Sequence, residues 1–391
     1  MNSSVDGACE ICLVFGGSLF GTGQASRWQS LIRAATDFGH KVDLIQLVSR
    51  REQTDVPRGI SAHIESVQRI SLENGSRFQR AYLPPGAAGA AAVADRAPQQ
   101  KVYDVLICEP VQAWAFGRAV PARFRVVGFT NDDAARQLTY ARRARTHQER
   151  LRHWWLATQC MRFELAAIRE SSCAWFVSPV ERERLQRFAW GTRCITVPNG
   201  ASREFYSVSR SPAECSATAL FVGSSTYQPN VDGLQWYLKH VWPRVLSQVN
   251  ARMLVAGFGW MPSSSPGTNV EVVGYVERLE DVVAEARVVV APLLSGGGTK
   301  VKILEGMAAG RPIVTTPVGA EGLPVSDGVR VAAAADSFAL ETVKLLKSGE
   351  LARRLGESNR MAVRSNAWED VWMRAFREIG LSASRSVSDV N

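Results

Sequence analysis

The sequence predicts an α/β protein built from two doubly wound parallel-sheet domains. Three observations predict it. The chain has 391 residues, and at about 100–200 residues per domain that length suits two domains. Short apolar, β-branched runs alternate with longer amphipathic stretches, the pattern of parallel strands joined by crossover helices. The runs also fall into two groups, parted by a polar segment with no clear period, "NGASREFYSVSRSPAECS" (Asn199–Ser216), which reads as an interdomain linker.

In the first half, residues 1–200, strands are expected at Ile11–Phe15, Val42–Leu47, Val105–Cys108, Val126–Phe129, Trp175–Ser178 and Cys194–Val197. "PPGAAGAAAVADRAP" (Pro84–Pro98) is of low complexity and is expected to be a mobile surface excursion. In the second half, residues 217–365, strands are expected at Ala219–Val222, Ala251–Ala256, Val270–Val273, Val288–Ala291 and Ile313–Thr315. Over residues 366–381, Trp368, Val371, Trp372, Ala375, Phe376 and Ile379 recur at helical spacing. Such a helix buries a broad face, either on its own domain or across onto the first. The tail, residues 382–391, is polar and reads as disordered.

Composition narrows the function classes. Hydrophobic residues make up 46% and charged residues 21% of the chain, as in a globular protein with a packed core. No apolar run is long enough to span a bilayer. "ICLVF" (Ile11–Phe15) is too short for a signal sequence and is preceded by Asp6 and Glu10 instead of basic residues. A cytoplasmic protein is expected. Seven cysteines at irregular spacing do not form a disulfide framework. Cys9 and Cys12 make a lone C-x-x-C that reads as thiols of a buried strand, with zinc or redox chemistry as the alternative. The net charge of +9 is uneven: residues 1–200 hold 26 Lys and Arg against 18 Asp and Glu, and residues 201–391 hold 20 against 19. The first half therefore suits an anionic partner: a membrane surface, a phosphorylated acceptor or nucleic acid.

The strongest chemical signal is "GGGTKVKILEGMAAGRPIVTT" (Gly296–Thr316). It follows a strand-like run, and in parallel α/β sheets ligands bind beyond the carboxyl ends of strands. A helix starting near Thr299 would aim its unpaired amides and positive dipole end at that place. Gly296, Gly297 and Gly298 let backbone approach an anion, and Lys300 and Lys302 add charge. These features describe a phosphate or diphosphate site, with a plain tight turn as the alternative. Glu305 is expected beside the apolar face made by residues 301, 304 and 308, where a carboxylate can accept two hydroxyl hydrogen bonds, as from a ribose. The order Gly-Lys-Ser/Thr of a P-loop is absent. A second glycine loop, "GGSLFGTGQASRW" (Gly16–Trp28), is a near miss to the dinucleotide fingerprint, because Asp43 falls inside its strand. It reads at least as well as a loop facing the other domain's phosphate site, so that two doubly wound domains would sandwich one ligand.

"GGGTKVKILEGMAAGRPIVTTPVGAEGL" resembles the nucleotide-sugar site of the retaining family 4 glycosyltransferases of the GT-B fold. "ALFVGSSTYQPNVDGLQWYLKHVWPRV" (Ala219–Val245), "VPNG" (Val197–Gly200), "AGFG" (Ala256–Gly259) and "VEVVGYVERLEDVVAEARVVVAP" (Val270–Pro292) fit the same order. "GHKVDLI" and "VVGFTNDDAARQLTYA" match less closely, in the half that binds the acceptor in this family. The resemblance implies two Rossmann-like domains facing a cleft, and a transferase of sugar from a nucleotide-sugar, most naturally UDP- or GDP-linked. It implies diphosphate binding at Thr299, Lys300 and Val301, with Gly297, Gly298, Gly223 and Ser224 around the donor. It further implies ribose binding at Glu305, a nucleobase slot at Gly274, Tyr275 and Val276, and a glycine loop at Gly16 and Gly17. Lys300, Glu305, Thr130 and Asn131 are the residues nearest the chemistry on this reading. Three positions depart from the family pattern. Gly297 replaces the first of its paired glutamates, Ser224 stands where arginine is usual, and Thr130 stands where a histidine is frequent.

Charge developing on a leaving diphosphate can be met by fixed dipoles and cations, so no metal is expected and no cofactor beyond the donor. "NDD" (Asn131–Asp133) reads as hydroxyl positioning or helix capping, not as a metal pair. "ARQLTYARRARTHQERLRHWWL" (Ala135–Leu156) holds six arginines from Arg136 to Arg152 before Trp154 and Trp155. One reading is an arginine-covered helix whose tryptophans enter the core. The other is a contact with an anionic membrane surface over Arg136–Trp155, at the inner face of the plasma membrane, with a lipid-linked acceptor. No nucleic-acid module is present. The expected pathway, implied by resemblance, is bacterial surface polysaccharide or glycoconjugate assembly. The alternatives are a GT-B epimerase or hydrolase, and a silent nucleotide-binding subunit.

Overall fold

The computed structural model describes residues 7–17, 19, 23–49, 55–72, 75–261, 263–265, 269–296 and 300–381. The chain divides into two compact units. One gathers Gln24–Pro198, the strand before it and the segment from Trp372 on; the other is Asn199–Val371.

The first unit holds a parallel sheet of seven strands: β1 (Glu10–Gly16), β2 (Lys41–Val48), β3 (Ser66–Ser71), β4 (Tyr103–Glu109), β5 (Ala122–Phe129), β6 (Cys173–Phe176) and β7 (Arg193–Thr196). Their spatial order is β3-β2-β1-β4-β5-β6-β7, so the direction of winding reverses between β1 and β4. Central strands are apolar on both faces because helices cover both sides. β3, "SVQRIS", was not foreseen. It pairs only with β2 and buries one residue, so it carries no apolar run.

The second unit repeats the plan with β8 (Thr218–Val222), β9 (Arg252–Ala256), β10 (Ser263–Ser265), β11 (Val270–Gly274), β12 (Val288–Ala291), β13 (Ile313–Thr315) and β14 (Val329–Val331). The order is β10-β11-β9-β8-β12-β13-β14, with β10 antiparallel and the reversal between β8 and β12. β10 and β14 were also unforeseen, and both are short edge strands.

Two expectations are corrected. Pro84–Pro98 is not a mobile excursion: Ala87–Ala91 is helical, and Ala87, Ala90, Val93 and Ala97 join the core around Trp114 and Phe116. The alanines are there because their small side chains let this helix approach its neighbours closely; a Cβ on Gly75 would meet the Ala88 carbonyl oxygen at 2.9 Å. Nor is Asn199–Ser216 a free linker. Ala201, Phe205 and Val208 enter the core with Ile303, Leu304 and Met307. Three arginines hold its carbonyls: Arg360 donates to Val208, Arg311 to Arg210 and Arg287 to Cys215.

The last helix is Trp368–Glu378. From Trp372 on it packs within the first unit, where Trp372 donates to Ser30 at 2.8 Å and Phe376 meets Phe38 edge-on at 5.6 Å. In that unit the Arg27 guanidinium lies 4.7 Å from the Trp372 ring centroid and donates to Glu109 at 2.6 Å and to the Val197 and Pro198 carbonyls, each at 3.1 Å. Residues 382–391 lie outside the described residues.

Candidate active site

In the second unit the loops after β8 and β12 flank the point where the winding reverses, the place where doubly wound sheets leave a crevice. After β12 the chain reaches Gly296, whose φ of +120° few side-chain-bearing residues adopt. Gly297, Gly298 and Thr299 lie outside the described residues. The helix begins at Val301, two residues later than expected, with half-buried Lys300 as its N-cap. Among the described residues no side chain caps the amides there; Ile303 and Leu304 donate to the Lys300 carbonyl, and the Val301 and Lys302 amides at the strand ends have no acceptor among the described residues. Gly310, at φ +67°, closes the helix.

The expected amphipathic picture of this helix is corrected. Val301, Ile303, Leu304, Glu305, Gly306, Met307 and Ala308 are all buried, and Lys302 alone is half-buried. The helix packs between the sheet and the segment 199–216, so it has no solvent face. Glu305 is therefore within the interior, 8% exposed, and no donor among the described residues pairs with its carboxylate. Burial, with Glu204 and Glu280 adding negative potential, pushes it up to about 7. Lys302 donates to Asn230 Oδ1 at 2.7 Å and lies 4.9 Å from the Phe221 ring centroid. Desolvation, helped by Lys300, pulls its ammonium down to about 7.

The loop after β8 is held by its carbonyls. Trp260 donates to the Gly223 carbonyl at 2.6 Å, and the Asn230 amide donates to the Ser224 carbonyl at 2.9 Å. The Ser224 hydroxyl pairs with Thr226 Oγ1 at 2.7 Å. A Cβ on Gly257 would stand 2.2 Å from the Gly223 oxygen, so the ends of β8 and β9 touch backbone to backbone. Gly274, at φ +78°, ends β11; Tyr275 beyond it is exposed, half-buried Val276 follows, and the Tyr275 ring meets Phe258 at 6.5 Å. Gly223, Ser224, Gly274, Tyr275, Val276, Lys300, Val301 and Glu305 thus all lie at or beyond strand carboxyl ends of one sheet. Asn230, Trp260 and Phe258 were not read from the sequence. Pro229, in the first turn of the helix after β8, marked the helix start, but nothing marked Asn230 as the residue that reaches back.

The other predicted residues sit at the corresponding edge of the first sheet. Gly17, at φ +116°, follows Gly16 at the end of β1, and Gln46 donates to its carbonyl at 2.9 Å. Thr130 follows β5 and accepts from Gln24 at 3.1 Å; Asn131 next to it is half-buried. Asp132 caps the helix Asp133–Arg143 by accepting from the Ala135 amide at 2.7 Å and pairs with Arg184. Asp133 pairs with Arg136 at 2.6 Å and accepts from Gln112. Glu164 accepts the amides of Asp133 and Ala134, and burial pushes its carboxyl up to about 8. These acids serve the fold. Among the described residues no three His, Cys, Asp or Glu side chains are grouped to hold a metal.

Trp154 and Trp155 do not enter the core, which corrects the first of the two readings of that stretch. They are 53% and 43% exposed, beside Leu151 at 70%. Arg142, Arg145, Arg150 and Arg152 are exposed too. No helix among the described residues is long and apolar enough to cross a membrane.

Residues 216–348 match the family model described as glycosyl transferases group 1. No curated protein matches the chain significantly. Solved structures align over nearly all of it. WaaG, a glycosyltransferase involved in lipopolysaccharide biosynthesis, aligns at TM-score 0.63 and 15% identity over 95% of this chain and 99% of its own. Anabaena Alr3699/HepE, solved with UDP and glucose, aligns at 0.62 and 12% over 95% and 99%. An S. aureus TarM variant, solved with fondaparinux, α-GlcNAc-glycerol and UDP, aligns at 0.65 and 10% over 96% and 100%. Two Rossmann-like parallel-sheet units with these neighbours are the GT-B fold. With a glycosyl transferases group 1 domain at residues 216–348, the protein is a transferase enzyme of the glycosyltransferase class.

Proposed function

We propose that this protein moves a sugar with retention of configuration from a UDP- or GDP-sugar to a saccharide, lipid-linked or other hydroxyl acceptor. The observation that carries the donor half is Glu305. Glu305 is nine-tenths buried, its carboxylate has no donor among the described residues, and it sits four residues beyond a helix start that no described side chain caps. A pair of vicinal hydroxyls would satisfy it, and a diphosphate would satisfy the helix mouth. UDP bound in Alr3699/HepE and in TarM supports the same donor class.

As the glycosyl–phosphate bond breaks, negative charge grows on the leaving diphosphate. The amides at Val301 and the Lys300 ammonium oppose it without a metal, and such fixed donors are worth a few kcal/mol each. A phosphate oxygen then takes the acceptor's proton on the face the diphosphate leaves. Thr130 and Asn131 are assigned to positioning hydroxyls on the acceptor side. The test is nucleoside diphosphate release from UDP- and GDP-sugars, with thermal shift to find the base. Release that survives a chelator supports the reading; no shift and no release with any donor rejects it.

For the acceptor we favour a lipid-linked saccharide in surface polysaccharide or glycoconjugate assembly, with the protein peripheral on the inner face of the plasma membrane. Exposed Leu151, Trp154 and Trp155 among exposed arginines support it, because indole rings and arginine suit an anionic headgroup layer. Co-sedimentation with phosphatidylglycerol vesicles, lost at high salt and in Trp154→Ser with Trp155→Ser, is the expected result; equal binding to neutral vesicles would reject it.

A further inference from the structure

A buried ammonium without a carboxylate partner is costly, and evolution of a stable core would replace it. Lys302, half-buried as a residue but with its ammonium desolvated, is such a group among the described residues. Among the described residues its one hydrogen bond goes to the Asn230 side-chain oxygen, and its charge faces Lys300 and the Phe221 ring. Asn230 is 5% exposed and uses its other end, the amide, on the Ser224 carbonyl. It also packs directly on the turn: a Cβ on Gly223 would lie 2.7 Å from the Asn230 amide group. The three residues form a strut from the helix Val301–Ala308 to the loop after β8.

That loop is where the sequence puts Ser224 in place of an arginine. Lys302 does not replace the arginine as a phosphate contact, since its ammonium is engaged inside the unit. We propose that Lys302 is a positioning residue of the donor site, acting through Asn230 to fix the Gly223–Ser224 turn against the mouth of the helix. This rests on the donor reading above. Two loops that both face one diphosphate must keep a set spacing, and small misplacements of such groups are costly to binding and rate. A lysine, long enough to cross from helix to loop, sets that spacing; its Asn partner converts a cation into a donor for a carbonyl.

The test uses the full chain with UDP-glucose and GDP-mannose as first probes. Lys302→Met and Asn230→Leu should each raise donor KM about tenfold, the worth of one charge-assisted hydrogen bond, with kcat changed less. The double variant should be no worse than either single one, because the two residues act as a unit. Lys302→Met should keep or raise the melting temperature, which separates positioning from folding. Asn230→Asp guards against a variant that does not fold. It keeps volume and pairs with Lys302, but cannot donate to Ser224, so it should fold and still raise donor KM. Wild-type donor KM in Asn230→Asp and Asn230→Leu overturns the proposal. So does a loss in Lys302→Met that Asn230→Leu lacks, which would make Lys302 a direct phosphate contact. If the wild-type protein binds no nucleotide-sugar by calorimetry, the donor reading itself fails and this inference falls with it.

Discussion

The two units share a winding plan but put different materials at their strand ends. In the second unit the edge is mostly backbone: glycines at 223, 257, 274 and 296, carbonyls held by Trp260 and Asn230, and uncapped amides at Val301. In the first unit it is mostly charged side chains. Asp132, Asp133 and Glu164 are tied to a helix start, and Glu109 is locked to Arg27. Backbone sites suit an invariant charged group such as a diphosphate; side-chain networks can be rebuilt for each acceptor. On the proposed function, the difference teaches that the donor end is a general device and the acceptor end a particular one.

The contrast can be broken at its strongest point first. Arg27 and Glu109 are each 2% exposed, so Glu109→Leu leaves a buried cation and should cost about 3–5 kcal/mol by chemical denaturation, largely recovered in Arg27→Met with Glu109→Leu. Failure to recover would mean that the carbonyl bonds to Val197 and Pro198, not the ion pair, hold the unit. Next, Lys300→Ala should cut turnover about a hundredfold, as for loss of one group that stabilises developing charge, with melting temperature unchanged. Wild-type kinetics there would remove the helix mouth from the chemistry. Ala90→Leu overpacks the first unit's core and should cost about 1–3 kcal/mol, read from the melting curve. A neutral result would return Pro84–Pro98 to the surface.

The smallest effect is Glu305→Gln, expected to raise donor KM about tenfold and to flatten its pH dependence. The ionised carboxylate is the form that accepts two hydroxyls, so wild-type donor affinity should improve as pH rises through about 7. Stability runs the other way. The folded carboxyl titrates near 7 and the ordinary one near 4.5, so the folded chain holds the extra proton in that window and stability falls as pH rises across it. Opposite slopes for binding and stability are the signature; parallel slopes would exclude Glu305 as the titrating group.

Much of the fold was legible because central parallel strands must be apolar on both faces; Val288–Ala291 and Ile313–Thr315 were read to the residue. β3, β10 and β14 were not, because an edge strand has no such obligation. The alanine-rich helix at 87–91 was misread because small residues signal both close packing and loose chain, and composition cannot separate the two. At the site, glycines and the start of a helix announced themselves. Asn230 did not, and Lys302 was read as added charge, not as a brace: an asparagine and a lysine look alike in sequence whether they face water or brace a loop.

The segment once read as a tether carries a practical consequence. Because Ala201, Phe205 and Val208 back the helix that bears Glu305, the second unit cannot be cut at residue 217 without baring that helix's rear. A fragment meant to bind nucleotide by itself should begin at Asn199, and one begun at the first strand of its sheet should aggregate.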